Sequence, residues 1–130
     1  MTKIFLAEGE NHVREALRLL LEQQAEFEIS GEASHTESLL AQACLQQPDV
    51  ILLDWNLPGL HPQRLLAALH QHCPCTRIFA TSVRPEQARV ALSWGADAFL
   101  SKQLPPNEFT TALLTALENP VKQDPGVSDT

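Results

Sequence analysis

The sequence is short of the features that mark secreted, membrane-spanning or nucleic-acid-binding chains. It carries three cysteines, an odd number that cannot all pair within one chain, and Cys44 falls inside an apolar helical pattern. A reducing cytoplasm is therefore the expected setting. No apolar run approaches the roughly 20 residues needed to cross a bilayer. Met1-Thr2-Lys3-Ile4-Phe5-Leu6 leads straight into the charged Glu8-Gly9-Glu10 turn, so neither a signal peptide nor a membrane partner is expected. Basic residues are scarce as well, with nine Lys and Arg against sixteen Asp and Glu for a net charge of −7. That balance argues against nucleic-acid binding by the body of the domain, because phosphate contacts need a basic face. Charged residues are only 19% of the total, too few for a disordered chain. There is no internal repeat.

What is present is an alternation of two rhythms. The 130 residues, 44% of them apolar, suit one domain able to bury a core. Short apolar runs occur at Ile4-Phe5-Leu6-Ala7, Phe27-Glu28-Ile29, Val50-Ile51-Leu52-Leu53, Ile78-Phe79-Ala80 and Ala98-Phe99-Leu100. Continuous runs such as the third suit strands covered on both faces. Between them, Val13, Ala16, Leu17, Leu20 and Leu21 recur at helical spacing. Leu39, Leu40, Ala43 and Cys44 do so after Ser34-His35-Thr36-Glu37, which reads as a capping box. Leu65, Leu66 and Leu69 follow Pro62 as a first-turn proline. Ala88, Ala91 and Leu92 follow Pro85 and stop at Gly95, and Phe109, Ala112, Leu113, Ala116 and Leu117 follow Pro105-Pro106. Five strands alternating with five helices predict an α/β fold with a parallel sheet covered on both faces. Residues 1–118 form the predicted domain. From Asn119 to Thr130 turn formers dominate, which reads as a linker or flexible tail.

In an open parallel sheet, ligands bind where the strands end at their carboxyl side. Those ends hold Glu8 and Glu10, then Asp54, then Thr81 and Ser82, then Lys102. A carboxylate, a hydroxyl and an ammonium converging from distant strands suit phosphoryl transfer to a carboxylate. Asp54 would be the nucleophile, and the negative charge of the phosphoryl oxygens would be met by cations. Lys102 would supply one, and Mg²⁺ held by carboxylates, a backbone carbonyl and water another. Thr81 could donate its hydroxyl to a phosphoryl oxygen. Singly, each residue has an ordinary role as a turn former, a cap or a solvated lysine; together they point to a site. His70-Gln71-His72-Cys73-Pro74-Cys75 lacks the second ligand pair of a zinc site and reads as a surface loop. Trp55 is expected to cover the rim of the Asp54 pocket and Trp94 to pack at the end of the fourth helix.

With those residues in view, the chain resembles the response-regulator receiver domains of bacterial two-component systems over about residues 3 to 118. Pro48-Asp49-Val50-Ile51-Leu52-Leu53-Asp54 and Leu57-Pro58-Gly59 resemble the family's phosphoacceptor strand and loop. Gly95-Ala96-Asp97-Ala98-Phe99-Leu100-Ser101-Lys102 resembles its fifth strand with the terminal lysine. Gly31-Glu32-Ala33 and the Val13-Arg14-Glu15-Ala16-Leu17 helix resemble the NarL/LuxR-like subfamily, which often carries a C-terminal helix-turn-helix. The resemblance implies a flavodoxin-like (βα)5 three-layer sandwich with strand order 2-1-3-4-5. It implies phosphorylation of Asp54 by a histidine kinase or phosphotransfer protein, with Thr81 turning toward the phosphoryl group and Phe99 swinging inward. The face of the fourth helix, fifth strand and fifth helix would then repack to meet a partner or form a homodimer.

One position departs from the family. Two consecutive acidic residues usually follow the first strand, and here they are Glu8 and Gly9. A direct metal ligand is missing at Gly9, so the expected Mg²⁺ site is a weak one built from Glu8, Asp54, the Asn56 backbone carbonyl and, if the loop bends, Glu10. Three functions stay open on the sequence: a phosphorylated receiver driving an output, a pseudo-receiver acting as a phosphate-independent binding module, and an aspartyl-nucleophile phosphatase. The last would want a second Asp as general acid where Asn56 stands.

Overall fold

The computed structural model describes residues 1–119. The strands are β1 (Thr2–Ala7), β2 (Phe27–Ala33), β3 (Val50–Asp54), β4 (Arg77–Ser82) and β5 (Ala98–Ser101). The helices are α1 (Asn11–Glu22), α2 (Thr36–Gln46), α3 (Pro62–His72), α4 (Ala88–Ser93), entered through a 3₁₀ turn at Pro85–Gln87, and α5 (Pro106–Glu118). All four strand pairings are parallel, and the sheet order is β2-β1-β3-β4-β5. This is the expected flavodoxin-like topology, with the strand order reversing beside β1 and β3. The expected tail, 119–130, lies outside the described residues apart from Asn119. Among the described residues no helix is long and apolar enough to cross a membrane.

The continuous run Val50-Ile51-Leu52-Leu53 makes β3 the middle strand, buried along its whole length. Alternate residues feed two cores, as the period-two pleat requires. Ile51 and Leu53 point into one with Leu39 and Ala43 of α2, Leu65, Leu66 and Leu69 of α3, and Ala91 of α4. Val50 and Leu52 point into the other with Leu21 of α1 and Phe109 and Leu113 of α5. Helices on both faces keep water off the middle of the sheet, which is why β3 reads as a continuous apolar run, while the edge strand β2 stays partly exposed.

Two details differ from the sequence reading. Ser34 does not cap α2; His35 does, its Nδ1 accepting from the Ser38 N–H at 3.3 Å. The helix begins late because Thr36 is buried and bonded elsewhere. Its N–H donates to Pro58 O, and its hydroxyl accepts from the Leu60 N–H, both at 2.9 Å. The second difference lies in the His70–Cys75 segment, of which only part is loop. His70 and His72 belong to the last turn of α3, and Cys73 caps it from inside the core. Leu92 of α4 is 39% exposed, so Ala91 alone anchors that short helix among its buried residues.

The bonds from Thr36 tie the loop after β3 to the start of α2. Gly59 makes the approach possible. Its φ is +123°, and a Cβ there would stand only 2.0 Å from Thr36 Oγ1, an overlap no side chain tolerates. Gly59→Ala is therefore expected to cost about 2 kcal/mol or more. Urea unfolding monitored by circular dichroism would read this as a lower midpoint; an unchanged midpoint would mean the loop does not need this conformation.

Candidate functional site

The parallel register delivers the site. Asp54, the last residue of β3, pairs with Thr81 on β4, and Ser82 pairs with Ser101 on β5 just before Lys102. Glu8 follows β1 directly, the strand that neighbours β3 on its other side. All the strands run the same way, so these ends meet on one edge of the sheet. They surround a cavity of about 440 Å³ lined by Glu8, Gly9, Glu10, Asp54, Asn56 and Lys102, among others.

Lys102 is the hub. Its Nζ lies 2.8 Å from Glu8 Oε1 and 3.2 Å from Asp54 Oδ1. Both carboxylates are almost buried, at 2% and 6% exposure for Glu8 and Asp54, so the attraction is far less screened than at a surface pair. The remaining oxygens are also engaged. Asp54 Oδ1 accepts from the Asn56 N–H at 2.9 Å, and Oδ2 accepts from the Gly9 N–H at 3.3 Å. Glu8 Oε2 accepts from the Glu10 N–H at 3.2 Å.

Burial pushes the Glu8 carboxyl above its ordinary value. The Lys102 hydrogen bond opposes that rise, and the Asp54 charge adds to it. The raised value is the mark of a carboxylate taken out of water beside another carboxylate.

The structure brings together Glu8, Asp54 and Lys102, three of the four charged groups singled out in the sequence. Thr81 is buried next to Asp54 on the neighbouring strand. Phe99 of β5 is half-buried and packs against the core shared by α2, α3 and α4. Glu10 is exposed on the cavity's edge.

Trp55 does not cover the pocket rim. The β3 alternation sends its side chain into the core, and its ring centroid lies 5.9 Å from that of Trp94, which also meets His61 at 5.3 Å. Only its backbone serves the site, through an N–H bond to Thr81 O at 2.8 Å.

Sequence reasoning missed Arg14. From α1 it donates to the Glu8 carbonyl at 2.8 Å and pairs with Glu32 at 3.3 Å, holding the loop that carries Glu8 and Gly9. Its place in the Val13–Leu17 pattern, one residue off the apolar stripe, was the available signal.

The donor set can be tested against Mg²⁺. Glu8 and Asp54 offer hard carboxylate oxygens that already converge on one cation, the Lys102 ammonium. One or two carboxylates are enough for an ion that keeps several waters, so the residues fit. Gly9 adds no carboxylate. A Cβ on it would stand 3.0 Å from Pro58 Cδ and 3.7 Å from Asp54 Oδ2, so a side chain here would face Asp54 after a small shift of the proline ring.

A sequence model described as response regulator receiver domain matches residues 4–114. The chain belongs to that family. The receiver domain is 32% identical over 112 residues to the nitrate/nitrite response regulator protein NarL of Escherichia coli, an alignment covering 85% of the chain and 52% of the relative. It superposes on the signal receiver domain of the response regulator NarL from Mycobacterium tuberculosis with a TM-score of 0.80 and 26% identity, covering 91% and 98% of the two chains. A protein-glutamate methylesterase/protein-glutamine glutaminase of Pseudomonas fluorescens is 27% identical over 103 residues, covering 77% of this chain and 28% of that enzyme. The chain spans about half the length of the NarL relatives it matches. Receiver domains are the phosphoacceptor modules of two-component systems, generally bind Mg²⁺ at the phosphorylation site, and interact with histidine kinases or phosphotransfer proteins.

The raised Glu8 value sets a pH dependence. The folded receiver holds this proton more tightly than the unfolded chain, whose value is near 4.5. The stability from that proton is fully present below 4.5 and is lost as pH rises through the higher folded value. Replacing Glu8 by Gln removes the loss. In urea unfolding from pH 4 to pH 7, the Glu8→Gln variant should therefore gain on the parent as pH rises. A difference independent of pH would contradict the burial argument.

Proposed function

We propose that this receiver domain accepts a phosphoryl group on Asp54 from a histidine kinase or phosphotransfer protein and acts as a switch rather than as an enzyme. The observation that carries the reading is the Lys102 ammonium paired with Asp54 inside an almost buried carboxylate site. A half-buried cation against the acceptor oxygen is placed to meet the charge of an incoming phosphoryl group, beside carboxylates that are themselves almost buried.

In the transfer, an Asp54 carboxylate oxygen attacks the phosphorus of the donor. A P–O bond forms as the bond from phosphorus to the donor atom breaks, leaving an acyl phosphate and the released donor. The Gly9 and Asn56 N–H groups, now on the carboxylate oxygens, orient Asp54 for that attack. Lys102 exchanges one of its carboxylate partners for a phosphoryl oxygen. Thr81, one strand away, donates its hydroxyl to another, and Phe99 repacks into the space that movement leaves. Mg²⁺, when bound by Glu8, Asp54 and the Asn56 carbonyl, with Glu10 reaching in if the loop bends, would neutralise further phosphoryl charge.

The output surface in this reading is α4, β5 and α5. Val90 and Leu92 of α4 are 40% and 39% exposed, apolar groups suited to a homodimer mate or an output domain. Such a domain, DNA-binding as the transcription-regulating relatives suggest, would be joined through residues 119–130 as a linker. A cytoplasmic location follows from the kinase partner.

A second reading rests on a specific observation. With glycine at position 9 the metal set is short of one carboxylate, and Lys102 already satisfies Glu8 and Asp54. A pseudo-receiver, an interaction module independent of phosphate, would have this resting network. An aspartyl phosphatase is disfavoured, because Asn56 offers no general acid.

Two measurements separate these readings. With Mg²⁺ and a small acyl-phosphate donor, the wild-type chain should gain one labile phosphoryl group, and Asp54→Asn should gain none. Lys102→Ala should react roughly 100-fold more slowly, the scale of losing one charge-stabilising group. No labelling of the wild type at millimolar Mg²⁺ would leave the interaction-module reading. Gly9→Asp should lower the Mg²⁺ concentration for half-maximal phosphoryl labelling by about tenfold, as an added carboxylate raises site charge. An unchanged value would show that position 9 does not limit the metal.

A further inference from the structure

Glu8 is fixed through its backbone as well as through Lys102. Its N–H donates to Ala33 O, at the end of β2, at 3.0 Å, and its carbonyl accepts from Arg14 Nη1 at 2.8 Å. The Glu8 carbonyl and the Gly9 N–H belong to one peptide unit, and that N–H donates to Asp54 Oδ2 at 3.3 Å. Arg14 of α1 and the acceptor carboxylate therefore hold the same plane from opposite sides. We propose that Arg14 is a positioning residue for phosphoryl acceptance, holding the Glu8–Gly9 peptide plane so that Asp54 keeps its orientation. This role rests on Asp54 being the acceptor.

The physical link is the stiffness of the peptide unit. In a planar trans unit the C=O and the N–H point in opposite directions. A turn of the plane moves both bonds at once, so a carbonyl released from Arg14 swings the Gly9 N–H away from Asp54. The plane also sets the direction of the next N–H, that of Glu10, which donates to Glu8 Oε2 at 3.2 Å. One bond from α1 thus governs a donor to each carboxylate of the site, and Arg14 acts on both through the backbone.

Arginine suits the task because its fork carries several donors in fixed directions. Nη2 donates to Asn11 Oδ1 at 2.7 Å, and Nε lies 3.3 Å from Glu32 Oε1 on β2. The Arg14 backbone N–H bonds the Glu10 carbonyl at 2.8 Å in the first turn of α1. With root and fork both tied, Nη1 has little freedom to leave the Glu8 carbonyl. Glu32 stands next to Ala33, which holds the Glu8 N–H, so β2 and α1 close a bracket around Glu8. The Glu32 side chain is 33% exposed and shared with Arg18, so water and salt weaken that pair. The bond to the Glu8 carbonyl is the one that orients the site.

The test compares Arg14→Ala, Arg14→Lys and Arg18→Ala in the full chain. Without metal or donor, the Gly9 amide proton, followed by NMR, should exchange with water roughly tenfold faster in Arg14→Ala, as a local hold opens. Arg18→Ala, which also loses a bond to Glu32, should leave that exchange unchanged. With Mg²⁺ and a saturating small acyl-phosphate donor, Arg14→Ala should take label roughly tenfold more slowly. The half-saturating donor concentration should stay the same, because orientation is lost and donor binding is not. Arg14→Lys, which keeps a donor for the carbonyl, should recover part of both effects. Equal effects from Arg18→Ala would reveal a general loosening of α1 and overturn the proposal. Gly9 exchange that ignores position 14, or faster exchange with an unchanged labelling rate, would overturn it as well. A wild type that takes no label would overturn Asp54 as acceptor, and with it this role in transfer, while faster Gly9 exchange would still report the hold of Arg14 on the plane.

Discussion

The Lys102 ammonium between Glu8 and Asp54 is the constraint on which the acceptor end of the molecule depends. Two nearly buried carboxylates so close together would repel and lose hydration at once. One cation at 2.8 and 3.2 Å compensates both, while backbone N–H groups from Gly9, Glu10 and Asn56 take up the remaining oxygens. The result is a closed polar set in an otherwise apolar interior, and no buried side-chain nitrogen or oxygen among the described residues lacks a partner. The chemistry proposed at Asp54 amounts to reopening that set for a phosphoryl group.

Everything that holds the set in place is ordinary α/β packing. β3 runs through the middle of the sheet with a core on each side, so Asp54 sits at the end of a strand buried along its whole length. β1 brings Glu8 from one neighbour, and β4 brings Thr81 from the other. β5 brings Lys102 one position past its pairing with β4. The loops are held from outside: Arg14 by the Glu8 carbonyl, and Thr36 by Pro58 and Leu60. Rigid strands carry the reacting groups, and the loops between them retain the freedom a switch requires.

At the carboxyl edge, charged groups from three strand ends, Glu8 after β1, Asp54 of β3 and Lys102 after β5, meet in a cavity open to water. β4, between the last two, contributes the uncharged Thr81 beside Asp54.

Much of this was legible in the residue pattern. Period-two and period-3.6 apolar spacing reports burial directly, so five strands, five helices and the strand ends holding Glu8, Asp54, Thr81 and Lys102 followed from the order of residues alone. The exchange of a carboxylate for Gly9 was equally plain. Other features needed the fold. Which residue caps α2 depended on Thr36 being claimed by Pro58 and Leu60, contacts from far along the chain. Trp55 turned inward because the residue after β3 keeps the strand's alternation. Sequence determined which groups were available, through local spacing and chemistry. Tertiary structure decided which of them touch, because hydrogen bonds and ion pairs act over a few ångströms between residues that the chain itself keeps far apart.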